Sequence, residues 1–155
     1  MNWQQEQELI TAYKNNRVIV SPTWDTSDNC LAFNDISRDL IQAGIYLYEA
    51  KISEVFAGIY KSSIYEGHTL WDTMHSNTKI AKVIDNWVNG CPLSPPFFVK
   101  HLRLDLALVA DGKHRLTVSH AMLSSTNTII PFLVPADAVN WITQAMPNAT
   151  FVKRI

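Results

Sequence analysis

What this sequence lacks narrows its reading before any motif does. No apolar run approaches the roughly 20 residues that cross a bilayer as a helix, so no membrane partner is expected. The first residues, Met1-Asn2-Trp3-Gln4-Gln5-Glu6-Gln7-Glu8, are polar and acidic, the opposite of a secretory signal, and point to a cytoplasmic protein. Cysteine is scarce: Cys30 and Cys91 are far apart with no Cys-x-x-Cys spacing, which favours free thiols over a bridge or redox pair. Charge is scarce too. With a formal net charge of −1 the chain is no polycation, and any contact with DNA has to come from a local basic patch. Repeats, low-complexity tracts and long linkers are absent, so residues 1–155 are expected to form a single domain. Hydrophobic residues make up 47% and charged residues 17%, a balance that supplies a core and argues against disorder.

What is present concentrates at one stretch. Leu106 to Ala110 is an apolar run of strand character that stops at Asp111-Gly112. His114 to Leu123 follows with apolar residues at Leu116, Val118, Ala121, Met122 and Leu123, the pattern of a short helix. A turn over Ser124 to Thr128 leads to a second apolar run, Ile129 to Val134, closed by Pro135. This order places a glycine turn at a helix N-terminus, where backbone N–H groups lack partners and the helix dipole is positive. Gly112 allows close approach of a ligand, and Lys113, His114 and Arg115 put cationic or hydrogen-bonding heads beside it. Three basic groups in a helix's first turn oppose its dipole. A bound phosphate, or a carboxylate such as Asp111, relieves that conflict; an ordinary solvated turn is the other reading. Arg115 is suited to grip two phosphate oxygens. His114 can bind phosphate, act as acid or base, or hydrogen-bond within the turn. Lys113 can contact phosphate or face solvent. Asp111 can coordinate Mg²⁺, orient His114 or Arg115, or close an Asx turn.

Pro95-Pro96-Phe97-Phe98-Val99, then Leu108-Val109-Ala110-Asp111-Gly112-Lys113-His114-Arg115-Leu116, then Ile130-Pro131-Phe132-Leu133-Val134 resemble the core of the ParB/sulfiredoxin superfamily. In that family an apolar strand enters a Gly-x-[His/Arg]-Arg turn, a helix follows, and an (Ile/Val)-Pro-x-x-Val-like strand closes the unit. The resemblance runs from about Lys79 to Val134, roughly a third of the chain. It implies a single α+β (α/β) domain with a small mixed sheet flanked by helices, and a nucleotide, ATP or CTP with Mg²⁺, at the Gly112-Lys113-His114-Arg115 turn. Sulfiredoxins carry a cysteine where this chain has Lys113, so their redox chemistry is not expected. ParB partition proteins continue into a helix-turn-helix and a dimerisation segment, for which the short stretch after Val134 leaves no room. The Asp-Gly-x-His-Arg form is closer to the stand-alone branch of kinases, ATPases and ParB-like nucleases. The resemblance therefore implies a nucleotide-dependent phosphate-handling hydrolase, an ATPase or DNA nuclease. The different expectation is a catalytically silent inhibitor or interaction protein, encoded on a mobile element, that keeps the fold and occupies a protein partner.

Phosphoryl chemistry calls for a carboxylate, to hold Mg²⁺ or to act as base. Glu49, Glu54, Glu66 and Asp72 precede the motif and are the candidates, Glu54 on a helix and Glu66 in a turn. His68 and His75 flank Trp71 and Asp72, but their spacing has no periodicity that forces convergence, and no metal site is assigned. His101 and His120 read as structural or exposed, and Trp87 and Trp141 as core.

The remaining elements follow from pattern. A helix is expected over Gln4–Asn15, a short strand at Val18–Val20, and an exposed loop at Thr23–Asn29. Asp35 or Ser37 caps a helix over Arg38–Ala43 that ends at Gly44. Tyr48–Lys61 is read as a helix, although Ile45-Tyr46-Leu47-Tyr48 has strand composition. Ile80, Val83, Ile84, Trp87 and Val88 mark the clearest helix, capped by Ser76 or Asn77 and ended by Asn89-Gly90. Phe97–Lys100 and Leu104–Ala110 are adjacent strands joined near Leu102-Arg103. Asp137 caps a last helix, Ala138–Met146, with Val139 and Ile142 inward, and Phe151-Val152 add a strand.

Overall fold

The computed structural model describes residues 1–15, 18–61, 70–71, 77–123 and 127–155. Glu66, His68, Asp72, His75, Ser76 and positions 124–126 of the expected turn lie outside the described residues. A mixed sheet is formed by β1 (Ile45–Lys51), β2 (Phe97–Lys100), β3 (Ala107–Asp111), β4 (Ile129–Pro135) and β5 (Thr150–Arg154), in the spatial order β3-β2-β4-β1-β5. β1 lies antiparallel between β4 and β5, β2 and β3 form an antiparallel hairpin, and β2 meets β4 in parallel at Phe97 and Leu133. Six α-helices among the described residues complete the expected α+β class: α1 (Trp3–Asn15), α2 (Arg38–Ala43), α3 (Ile52–Gly58), α4 (Asn77–Val88), α5 (Lys113–Met122) and α6 (Ile142–Ala145). None of the described helices is long and apolar enough to cross a membrane.

The period-two alternation of strand side chains divides the core. From β1 and β4, Tyr48, Ala50, Ile130, Phe132 and Val134 enter one cluster with Val55, Leu116, Trp141 and Ile142 of the helical layer. Ile45, Leu47 and Leu133 face the other way, onto Cys30 and the partly buried Leu40 of α2. A third cluster joins α4 to α5 through Ile80, Val83, Ile84, Trp87 and Val118, with Tyr13, Leu70 and Trp71 packed on it. α5 is thus held on two sides, Leu116 against the sheet and Val118 against α4. Its buried hydroxyls are satisfied by the helix itself: Thr117 Oγ1 donates to the Lys113 carbonyl at 2.7 Å and Ser119 Oγ to the Arg115 carbonyl at 2.8 Å.

Three expectations give way. The helix expected over Tyr48–Lys61 begins at Ile52, because β1 continues through Glu49, Ala50 and Lys51. Pairing of all three with β4, and of Glu49 also with β5, outweighs their helix preference. Val18–Val20 is not a strand, and the last helix is a 3₁₀ segment, Ala136–Asn140, followed by the single turn α6. Val139 consequently points outward, 58% exposed, while Ile142 is buried as expected. Ser37 does cap α2, its hydroxyl accepting from the Leu40 N–H at 3.4 Å, and Gly44 and Gly90 end their helices with positive φ.

Candidate functional site

The turn between β3 and α5 is fixed by its neighbours. Asp111, the last residue of β3, pairs with Phe97, and Pro96 is held beneath the turn because its carbonyl accepts the Leu133 N–H at 2.8 Å. Gly112 then adopts φ +89°, in the left-handed region. A Cβ there would lie 2.7 Å from Pro96 Cα and 2.8 Å from Arg115 Nη2, so only glycine fits without displacement. The Gly112 carbonyl accepts the first helical bond from Leu116, and no side chain caps the helix start.

Asp111 uses both oxygens on backbone donors: Oδ1 accepts the Gly112 N–H at 2.8 Å and Oδ2 the Asp35 N–H at 2.7 Å. It builds the turn and ties it to the loop before α2. Asn34 adds a second tie. Its Oδ1 accepts from Arg115 Nη2 at 2.7 Å, while its own amide donates to the Pro95 and Cys30 carbonyls at 3.3 and 3.4 Å. Arg115 is therefore partly enclosed and pre-oriented, and its Nε finds no hydrogen-bond partner among the described residues. Burial pushes the guanidinium below the usual arginine range, with Asp111 opposing the change.

Beside the turn opens a cleft of about 450 Å³, within the range of small-ligand sites. Val83, Val109 and Ala110 supply apolar lining. Lys79 and Lys82 enter from α4, and Asp111, Gly112, Lys113, His114 and Arg115 from the turn. Among the described residues, four cations thus share the cleft with one carboxylate. Lys82 also meets Glu6 of α1 at 3.8 Å, an exposed pair. The His114 imidazole is lowered to about 4, first by burial, then by Lys79, Lys113 and Arg115, with Asp111 working against them. It is neutral at pH 7, able to donate and accept one hydrogen bond or to take up a proton.

The structure brings Asp111, Gly112, Lys113, His114 and Arg115 together and places Glu54 elsewhere. Glu54 Oε1 accepts the Asn148 N–H at 2.6 Å and lines, with Glu49 and Thr150, a separate depression of about 180 Å³. Neither carboxylate borders the cleft, because β1 carries Glu49 in the sheet and α3 turns Glu54 toward the C-terminal segment. Among the described residues no group of three His, Cys, Asp or Glu side chains is arranged to hold a metal ion. His101 has a structural role, its Nδ1 accepting the Arg103 and Leu104 N–H groups at 3.1 Å each, and His120 stacks on Phe56 at 4.2 Å. Sequence reasoning missed Asn34, Lys79 and Lys82. The two lysines carried a signal: they stand i, i+3 on the helix whose apolar face was the clearest in the chain, beside the inward Val83. Asn34 carried none, since only the tertiary fold brings it to Arg115. Comparison with protein families, curated proteins and solved structures gives no match to this chain.

Proposed function

We propose that the chain is a phosphate-handling protein of ParB/sulfiredoxin type, which binds the phosphate groups of a nucleotide in the cleft between α4 and α5. One observation carries the reading: among the described residues, four cationic side chains and one carboxylate, Asp111, line a cleft at the first turn of a helix that no side chain caps. Cations gathered at the positive end of a helix suit an anionic ligand. The residues suit phosphate: backbone N–H groups of the turn, the remaining donors of Arg115, and the lysines of both helices. They provide less for Mg²⁺, since Asp111 is the only carboxylate of the cleft among the described residues, and no step is assigned to that ion. Hydrolysis at this site would use neutral His114, which accepts the proton of a water as its oxygen attacks phosphorus and the leaving oxygen departs with the bonding pair.

A second reading, a binding or inhibitor protein without turnover that engages a protein partner, draws on the same shortage of carboxylates. A thermal-shift panel of ATP, CTP, GTP and ADP, with and without Mg²⁺, tests binding; ligand at about 100 times its Kd raises stability by roughly 2.7 kcal/mol. Arg115→Ala is expected to weaken binding by about 1.5–3 kcal/mol. Release of inorganic phosphate, lost in His114→Gln while binding persists, supports the hydrolase; binding without release supports the silent protein. No stabilisation by any of the four nucleotides sinks the proposal.

A further inference from the structure

The cleft does not stand alone. Immediately across the first turn of α4 lies a second depression, about 370 Å³, where Asn77 and Thr78 face Thr11, Lys14 and Asn15 of α1. Thr78 of this depression and Lys82 of the cleft stand i, i+4 on α4, so the two linings meet on one face of that helix. A third depression, about 390 Å³, runs along α1 beside Trp3 and shares Gln7 and Thr11 with the second. Trp3, Gln7, Thr11 and Lys14 stand at i, i+4, i+8 and i+11, a single stripe of the helix. The chain therefore carries one path from the Arg115 turn, past Lys79, over Lys14, to Trp3. Among the described residues its linings contain five cations, Lys14, Lys79, Lys82, Lys113 and Arg115, against two carboxylates, Glu8 and Asp111, with Glu6 paired to Lys82 beside them. α1 is fastened in place along this path, since the Tyr13 hydroxyl donates to Asp85 Oδ1 of α4 at 2.5 Å. Trp3 remains 74% exposed, a large ring that packing does not use.

We propose that this path is a track for a single nucleic-acid strand, anchored by a phosphate at the Gly112–Arg115 turn, followed over the lysines of α4 and α1, and ended by a base stacked on Trp3. Cations spaced along a groove with an exposed aromatic at its end are the elements by which proteins hold single strands without reading sequence. Hydroxyl and amide groups of Thr11, Thr78 and Gln7 between the cations suit phosphate and sugar oxygens. An acidic peptide shares the charge but presents a planar ring only where it carries an aromatic residue, whereas every nucleotide of a single strand presents one; in a duplex the bases are stacked on each other and not free to meet Trp3. The proposal rests on the phosphate site described above and extends its ligand from a nucleotide to a polynucleotide.

The test is fluorescence polarisation of labelled single-stranded DNA and RNA of about eight nucleotides, a length within known single-strand site sizes. Duplex DNA and polyglutamate serve as competitors, and ATP and CTP binding is measured in parallel. The strand is expected to bind at least tenfold tighter than either mononucleotide, and tighter than the duplex. Trp3→Ala is expected to weaken strand binding about tenfold. Lys14→Glu should lower it and flatten its salt dependence by about 0.7 in the log–log slope. Both exposed changes should leave mononucleotide binding and the melting temperature unchanged. Preference for DNA or RNA decides which strand the track takes. Mononucleotide binding as tight as strand binding, with both variants silent, overturns the track and leaves the phosphate site standing. Polyglutamate displacing the strand at equal concentration also overturns it, in favour of an acidic protein segment. Absence of binding by strand and mononucleotide alike removes the phosphate site as well.

Discussion

Two depressions in this molecule hold charged side chains in opposite states. Around the start of α5, four cations crowd one carboxylate and the imidazole is driven toward neutrality. Between β1, α3 and the segment before β5, Glu54 rests on the backbone N–H of Asn148, with Lys51 and Glu49 beside it. In the second the backbone supplies Glu54 with a donor; in the first, cations outnumber carboxylates among the described residues of the lining. A charged group whose partner is supplied by the fold contributes to stability, whereas an excess of like charge in a cleft favours a ligand of the opposite sign. The contrast separates Glu54 from the cleft that Lys79 and Lys82 line.

The largest effect should come from breaking the turn that gathers the cations. Gly112→Ala forces a Cβ against Pro96 at a left-handed φ, and the expected cost is about 2–4 kcal/mol, from backbone strain plus overpacking. Urea denaturation measures it, and a variant as stable as the parent would show that the turn is not held as described.

A pH series sharpens the comparison next. His114 lies at about 4 in the fold, against about 6.5 in an unfolded chain. Between those values the unfolded chain binds the proton and the folded chain does not, so stability falls as pH drops from about 6.5 to about 4 and is unaffected above that window. His114→Gln should flatten this part of the profile. Inorganic phosphate, which offsets Lys79, Lys113 and Arg115, should shrink the loss in the parent protein. An identical profile in parent and variant would falsify the assignment of the cleft's field to the imidazole.

The smallest effect belongs to the Glu54 depression. Glu54→Ala removes the acceptor of the Asn148 N–H and should cost about 1 kcal/mol by thermal or chemical melting. Nucleotide affinity should stay at the parent value. A drop in affinity without loss of stability would return Glu54 to the functional groups of the protein.

Much of this arrangement could be read from the chain. The strand–turn–helix–strand order around Gly112 appears where the apolar runs stop and restart, and α4 where Ile80, Val83, Ile84 and Trp87 recur at helical spacing. What escaped was decided by partners distant in sequence. Glu49, Ala50 and Lys51 favour helix by themselves, yet they extend β1 because β4 offers Pro131, Ile130 and Ile129 opposite them. Val139 falls inward on a 3.6-residue period, but the backbone there is 3₁₀, which rotates the side chain outward. Asn34 reaches Arg115 and Asp35 reaches Asp111 only across the assembled fold. Local signals therefore located the turn, while its bracing and the lysines that face it required the packing of α2, α4 and α5.

The place of β1 between β4 and β5 has a consequence for the order in which the protein assembles. Its two neighbours, β4 and β5, pair Ile45 with Pro135 and Tyr46 with Arg154, so neither edge of the strand is closed by anything near it in the chain. The α1–α4 pair and the β2–β3 hairpin can form from what precedes β4, but the middle of the sheet waits until Ile129 to Arg154 have been made. Folding of this kind, governed by long-range strand pairing, is slow compared with that of helical bundles. Until β4 and β5 arrive, Ile45 to Lys51 is an open, mostly apolar strand, the part of the nascent chain most in need of shelter from its own kind.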